Sequence, residues 1–550
     1  MPRPVDRYNA LPSLVDGSVV LRDGKSRWTI AALLTVALLL VIGIHWGSLQ
    51  GQFLSDDFGF PWGLSLAAQR GEVWSYVWDT VIIREPQPGN FYRPIGFLSF
   101  ALNWWLGGAD PFGWRLFNLI VHLIDGWLLY RLARRIAAPL PGANFAAWLA
   151  AALFWLFPLA PEVSAWVCAR FDALAVMGLL VCLERHHASR RVFDGAQIAS
   201  LLALIFALGS KESAMTAPAF VLLIDLFAAQ SELTWPARLR RALLRWLPVL
   251  GVFAAYLLWR RFLFGGAAVE VYANSSPLEH LAPWELWNRL LSMAPILNQS
   301  LGSAVLPLAA LLIVSLSSTA VLAWRAGRFM DLWLLPALSF GISVGAVLPH
   351  FTGSLGNGEG ARLFYLAGIW LALWLALPLA AMTRVALRTA LALLAIFAFA
   401  AGQARAMVPW RKASQAMRGL MAAIAKEAPA LRASHAHAFV LAPDHWRTAP
   451  FARNAQLAPV IPPFQSEDLR DAVGVITPAG FAEWSQRVHN NNLPWPGVEG
   501  ASLRYFCFDA DSASLVPVSI DYSTTNSVET WQAAWQQALE ASSCADEFKS

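Results

Sequence analysis

Apolar runs long enough to cross a hydrocarbon core of roughly 30 Å recur about eleven times in this chain, near 28–47, 112–131, 144–162, 172–185, 196–209, 213–229, 246–264, 303–323, 330–349, 363–381 and 386–402. Such repetition fixes the fold class as an all-α polytopic membrane protein, because inside hydrocarbon a helix satisfies its own backbone groups. Composition agrees. Charged residues are 14% of the chain against roughly 25% in an ordinary soluble domain, 57% are hydrophobic, and mean hydropathy is +0.48. The runs at 172–185 and 196–209 are short, so their ends extend or tilt. The 94–107 stretch, interrupted by Asn103 and Gly107-Gly108, reads as an interfacial or re-entrant piece.

The net charge of +5 does not point to nucleic acid, because the basic residues fall in short clusters between apolar runs. Clusters of that kind orient membrane helices. With the N-terminus inside, the inner segments hold Arg3, Arg7, Arg22, Lys25 and Arg27, then Arg131, Arg134 and Arg135, then Arg185, Arg190 and Arg191. Arg238, Arg240, Arg241 and Arg245 follow, then Arg325 and Arg328, then Arg384 and Arg388. The expected organisation is a cytoplasmic tail over 1–27, a membrane domain over 28–402 and an extracytoplasmic domain over 403–550. The first apolar run is too long for a cleavable signal peptide and lacks a small-residue cleavage site.

After 403 polar residues rise and apolar runs shorten. Ala438–Leu441, Leu503–Phe508 and Leu515–Val518 have the pattern of strands between helical stretches near 411–431 and 528–541, so the tail is a small α/β domain. Cys507 and Cys544 share it, and an oxidising compartment permits a disulfide that spacing alone neither requires nor excludes.

Chemistry-bearing residues collect on the outer turns. Asp56 and Asp57 follow the first span, and ionised groups at a hydrocarbon boundary are costly and usually functional. Next come Tyr92-Arg93-Pro94, Asn118 and His122 in the second span, a turn with Glu162, Arg170 and Asp172, the pair Lys211-Glu212, and Glu359, Arg362 and Tyr365. Each has a structural alternative. Ser55-Asp56-Asp57 is a helix-capping sequence, Arg93 can anchor a loop to lipid headgroups, and Arg170 with Asp172 or Lys211 with Glu212 can be ion pairs at helix ends. Glu359 complements a helix start, and His122 suits a packing role. The glycine-rich 353–360 segment lacks the strand-to-helix setting of a nucleotide loop.

Together these residues resemble the membrane region of GT-C glycosyltransferases, in particular protein O-mannosyltransferase-like proteins whose eukaryotic members carry tetratricopeptide repeats. The likeness covers roughly 28–412 and rests on the order of the motifs. The chain departs from it in two places: Ala169-Arg170-Phe171-Asp172 stands where the repeat-bearing proteins show Gly-Arg-Ala-Asp, and no such repeats follow. The resemblance implies an inverting transferase that takes a sugar from a polyprenyl-phosphate donor in the bilayer and passes it to a protein or glycan hydroxyl. Asp56 is then the base and Asp57 its neighbour. Arg93, Arg170, Lys211 and Arg362 are phosphate ligands, and Tyr92, Glu162, Asp172, Glu212, Glu359 and Tyr365 support them. No metal site is implied by the acid pair alone, although a divalent cation serves some GT-C enzymes and not others. A bacterial inner-membrane location with a periplasmic tail fits the charge pattern. The competing classes are a lipid-linked-sugar flippase or other transporter, a polysaccharide polymerase or ligase, and a non-catalytic sensor.

Overall fold

A computed structural model describes residues 24–82, 91–138, 140–228, 234–264, 283–348, 360–478, 502–509, 511–519 and parts of 533–544. Most of the expected N-terminal tail, the outer-loop stretches 265–282 and 349–359, Glu359 with them, and the start of the helix expected at 528–541 lie outside the described residues.

Among the described residues, the eleven apolar runs fall mainly on helical structure, but not as eleven uniform spans. The helices are α1 (Gly24–Leu49), α2 (Gly59–Gln69), α3 (Val73–Ile82), α4 (Pro94–Gly107), α5 (Pro111–Ile136), α6 (Ala143–Trp155), α7 (Pro161–Ala165) and α8 (Arg170–Ala188). They continue as α9 (Gly195–Leu208), α10 (Ala217–Leu223), α11 (Trp235–Phe264), α12 (Pro283–Leu301), α13 (Val305–Arg325), α14 (Leu335–Val347), α15 (Tyr365–Ala376) and α16 (Val385–Ala433). Among the described residues, seven helical segments are long and apolar enough to cross a membrane. The chain is a multi-pass membrane protein.

The discrepancy in span count has a physical origin. Helices α6 and α9 hold 13 and 14 residues, or roughly 20 Å each at 1.5 Å per residue. The 213–229 run is divided into a 3₁₀ turn, α10 and a π turn. The expected re-entrant piece is α4, a 14-residue helix with Pro94 in its first turn, where the missing N–H costs nothing. Helix α5 starts the same way on Pro111, and the Asp110 carboxylate accepts from Phe112 N at 3.2 Å.

Sequence patterning places the core. Helices α6, α8 and α15 are buried along most of their length, whereas α13 turns Leu306, Ile313 and Val314 outward, as a helix facing lipid does. The domain boundary expected at 402/403 lies inside α16, a single helix of 49 residues. Its buried side past that point carries Trp410, Ala413, Met417, Leu420 and Ile424, a spacing of three and four that holds one face against the protein.

Helix α16 delivers the chain into a four-stranded sheet. Strands β1 (Ala436–Leu441), β2 (His445–Trp446), β3 (Ala449–Pro450), β4 (Val473–Ile476), β5 (Ser502–Asp509) and β6 (Ser514–Pro517) follow, with sheet order β4-β1-β5-β6 and β2 paired to β3. Strand β1 runs parallel to both neighbours, with Phe439 opposite Gly474 and Tyr505, and β5–β6 is antiparallel. The three predicted strands are present, and the short apolar β4 is an addition. Cys507 and Cys544 form a disulfide.

Candidate active site at the acid pair

Leaving α1, the chain passes close against α5 and α16 at Gly51, where a Cβ would lie 2.1 Å from Ser414 Oγ and 2.6 Å from Arg115 Nη1. Arg115 then donates to the Ser48 carbonyl at 2.6 Å and to that of Gln52. Ser55 sits at φ +46°, a conformation that costs a non-glycine residue about 1–3 kcal/mol and persists only where the surroundings enforce it. Enforcement comes from the tail: Ser55 N donates to the Phe451 carbonyl at 2.8 Å. Phe58 meets Phe464 edge-on at 4.8 Å and Phe53 meets it at 6.1 Å, contacts worth about 0.5–1.5 kcal/mol each beyond buried area.

The turn opens a short helix, 55–58, on which the two carboxylates point apart. Asp57 is fully buried; Oδ1 accepts from Cys168 N at 2.7 Å and Oδ2 from Leu54 N at 3.4 Å. Burial pushes its carboxyl up to about 7, against the pull of the Arg115 guanidinium and of the Cys168, Val167 and Leu54 amides. Asp56 is only half-buried, and its Oδ1 accepts from Asn454 Nδ2 of the tail at 2.5 Å. The capping alternative thus belongs to Asp57, while Asp56 faces the open side.

Opposite the pair lies the turn made by α7 and residues 167–169. Glu162, buried in α7, receives Arg362 on one carboxylate oxygen and the Gly360 amide on the other at 3.2 Å. Gly360 adopts φ +117°, which glycine alone takes without strain, and this lets its N–H face Glu162. The Arg362 guanidinium also covers the Trp166 ring at 4.8 Å. Half-buried Cys168 lies within electrostatic reach of Asp56, Asp57, Arg362 and Arg93, and burial together with the two carboxylates pushes its thiol well up.

The ion pairs cross between elements rather than along the sequence. Arg93 donates to Glu212 Oε2 through Nη2 at 2.7 Å and Nε at 3.0 Å, and Arg260 of α11 reaches Glu212 Oε1 at 3.4 Å. Burial acts to raise the Glu212 carboxyl, yet the two guanidinium groups hold it below the usual range. Lys211 pairs not with adjacent Glu212 but with Asp172 of α8, at 2.6 Å. Tyr92 lies near Trp259, with ring centroids 6.3 Å apart.

Arg170 is not paired with Asp172. It is fully buried; Nε donates to Asn118 Oδ1 at 2.7 Å, Nη2 to the Trp114 carbonyl at 2.8 Å, and Nη1 to the Ser99 carbonyl and Oγ at 3.2 and 3.3 Å. Asn118 in turn donates to the Val163 and Trp166 carbonyls at 3.1 and 3.0 Å. The pair therefore clamps α4, α5, α7 and α8 together. Tyr365 also points inward: its hydroxyl donates to Asp125 at 2.9 Å and meets His122 Nδ1 at 2.7 Å, while His122 Nε2 reaches the Trp155 carbonyl at 3.0 Å.

The structure thus gathers Asp56, Asp57, Arg93 and Arg362 around Cys168, with the Lys211–Asp172 and Glu212–Arg260 contacts on the helices beside them. Sequence reasoning missed Asn454, Arg115, Arg260 and the central position of Cys168. A cysteine inside the charged turn was the one local signal available. Among the described residues, no group of three or more His, Cys, Asp or Glu is arranged to hold a metal, and Asp57 is committed to amide donors. This donor set does not fit an oxygen-ligated cation that asks for about six ligands.

No family model matches the chain. It is 34% identical over 142 residues to protein O-mannosyl-transferase Tmtc1 from Drosophila melanogaster, covering 26% of this chain and 16% of that protein. It is 28% identical over 299 residues to protein O-mannosyl-transferase Tmtc2 from the same fly, covering 50% and 30%. The chain is similar to the Tmtc protein O-mannosyl-transferases. The human protein O-mannosyl-transferase TMTC1 matches at 27% over 226 residues, covering 37% of this chain and 24% of that protein. These matches span at most 30% of the relatives' own length. Among solved structures, ArnT from Cupriavidus metallidurans in the apo state aligns with a TM-score of 0.41 and 15% identity, over 78% of this chain and 85% of that one.

Proposed function

We propose that this protein is a membrane glycosyltransferase of inverting type, moving a sugar from a polyprenyl-phosphate-linked donor to an acceptor hydroxyl at the outer face of a bacterial inner membrane. The observation that carries the reading is the division of labour in the acid pair. Asp57 is buried against backbone amides, while Asp56 is half-buried, held by Asn454, and shares the surroundings of Cys168 with two arginines. The similarity to proteins named O-mannosyl-transferases supports glycosyl transfer as the reaction class.

In the proposed step Asp56 takes the proton of the acceptor hydroxyl as that oxygen attacks the anomeric carbon. The new C–O bond forms as the bond to the phosphate oxygen breaks, and the electron pair leaves with the phosphate. Among the described residues, Arg93, Arg115, Arg170, Lys211, Arg260 and Arg362 stand among the carboxylates Asp56, Asp57, Asp125, Glu162, Asp172 and Glu212. Guanidinium and ammonium groups can hold a lipid phosphate; Arg93, Arg362 and Lys211 are the partly exposed ones, and Arg170 holds the frame. Protein and glycan acceptors both suit this step.

The test is transfer of radiolabelled sugar from a panel of polyprenyl-phosphate donors by the purified full-length protein in lipid, with Asp56→Asn compared at matched folding. Transfer that collapses in the variant supports the reading. Equal transfer by both removes Asp56 from the role of base, and lipid-linked sugar crossing the bilayer without transfer assigns the protein to the transporters.

A further inference from the structure

At the end of the helices opposite the acid pair, the α8–α9 turn and the first turns of α11 border an open surface cavity of about 350 Å³ lined by Arg190, Arg191, Arg240, Arg241 and Arg245, with Val192, Ala237 and Leu244. Helix α8 spans 19 residues between Arg170 and this turn, or roughly 28 Å, so the cavity faces the other side of a bilayer from Asp56. The turn is built rather than loose. Asp194 accepts from Arg190 N at 2.8 Å, Arg191 N at 3.2 Å and Gln197 N at 2.8 Å, and Ser189 Oγ donates to the Arg191 carbonyl at 2.8 Å.

Charge balance at the cavity is one-sided. Arg245 pairs with Asp225 at 3.0 Å, and among the described residues Asp194 is the other carboxylate close by. Among the described residues, no ion pair involves the side chains of Arg190, Arg191, Arg240 or Arg241, all four of which are exposed. On the floor, Arg245 is only 7% exposed and its Nε is buried without a hydrogen-bond partner. Orientation of a membrane protein asks for positive charge on one side; it does not ask for five guanidinium groups around one hollow with four of them outside any ion pair among the described residues. An anion with several acceptor oxygens answers that clustering.

We propose that this cavity binds a phosphate-bearing anion at the membrane face opposite the acid pair. Arg190, Arg191, Arg240 and Arg241 hold its oxygens, Arg245, whose terminal nitrogens are held by Asp225 and the His186 carbonyl, adds its charge from below, and the apolar wall of Val192, Ala237 and Leu244 accommodates the carbon chain of a phosphate ester. A phospholipid headgroup and a soluble phosphate ester share this chemistry.

The experiment uses the full-length protein, delipidated in neutral detergent and checked for monodispersity. Native mass spectrometry and thermal shift are read with phosphatidylglycerol, with zwitterionic phosphatidylcholine, and with glycerol 3-phosphate. Selective binding of phosphatidylglycerol over phosphatidylcholine, weakened about tenfold or more in Arg190→Gln/Arg240→Gln/Arg241→Gln and about threefold to fivefold in exposed Arg240→Gln alone, supports the site with a lipid source. Glycerol 3-phosphate binding as tightly as the lipid, with the same losses, supports it with a soluble source. Equal binding by wild type and the single variant, or no binding of either phosphate by wild type, overturns it.

Discussion

Asn454 donates its side-chain amide to Asp56 across 398 residues of sequence, at 2.5 Å. The proposed base is thereby held by the tail as well as by the membrane domain. A hydrogen bond to a charged group contributes about 1.5–3 kcal/mol, and its loss frees the carboxylate to rotate. Asn454→Ala is expected to lower kcat for sugar transfer by about tenfold to hundredfold with little change in KM for the donor lipid. Steady-state kinetics at matched folding check this.

Asp57 predicts a pH signature in stability. Its folded carboxyl lies at about 7 against a reference near 3.8, so between those values the folded state binds more protons than the unfolded one. Stability is therefore fully present below about pH 4 and declines as pH rises through 7. The shift is worth at most about 4 kcal/mol. Asp57→Asn should remove most of this decline, because the amide does not titrate, while its oxygen can still accept from Cys168 N and keep the turn in place. Thermal unfolding of both proteins from pH 4 to pH 8 measures the difference; parallel curves would sink the idea.

Glu212 serves two guanidinium groups, so its removal leaves both without their shared carboxylate. Glu212→Gln is expected to destabilise the protein by about 3 kcal/mol. Arg93→Gln should instead raise KM for the donor about tenfold, because Arg260 still pairs with Glu212. Denaturation and donor titration separate the two effects.

Arg170 and Arg93 should behave differently under the same substitution. Every nitrogen of Arg170 donates to protein, and a lysine cannot reproduce that fork. Arg170→Lys is expected to cost about 2–4 kcal/mol of stability while the folded fraction keeps its KM for the donor lipid. A raised donor KM in folded protein would return Arg170 to the phosphate.

Much of this architecture is legible in the sequence because bilayer physics writes it there. The apolar runs, the acid pair beyond the first of them and the strands at β1, β5 and β6 stand out through length, charge and alternation. Pairing does not. Lys211 next to Glu212 looks like a local ion pair, yet it reaches Asp172 because α8 and α9 run antiparallel and bring those ends together. Arg170 two residues before Asp172 faces the other way round its helix, toward Asn118. Asn454 lies in a stretch with no periodic pattern, and the Ser55–Phe451 backbone hydrogen bond together with the docking of Phe464 on Phe53 and Phe58 carries it to Asp56. The run of α16 through residue 402 was hidden by composition, since its outer face turns polar while its inner face keeps the same spacing.

The shortness of α9 has a consequence for the lipid around it. Ile198, Leu202 and Ile205 face outward on this helix, which is roughly 9 Å shorter than the hydrocarbon core it borders. Acyl chains beside it must compress or splay, drawing the two headgroup layers toward each other along the edge that joins the arginine cavity to Lys211. A membrane dimple at that edge would carry a phosphate headgroup deeper than the surrounding leaflet holds it, and make acyl-chain length itself a control on how readily the donor enters.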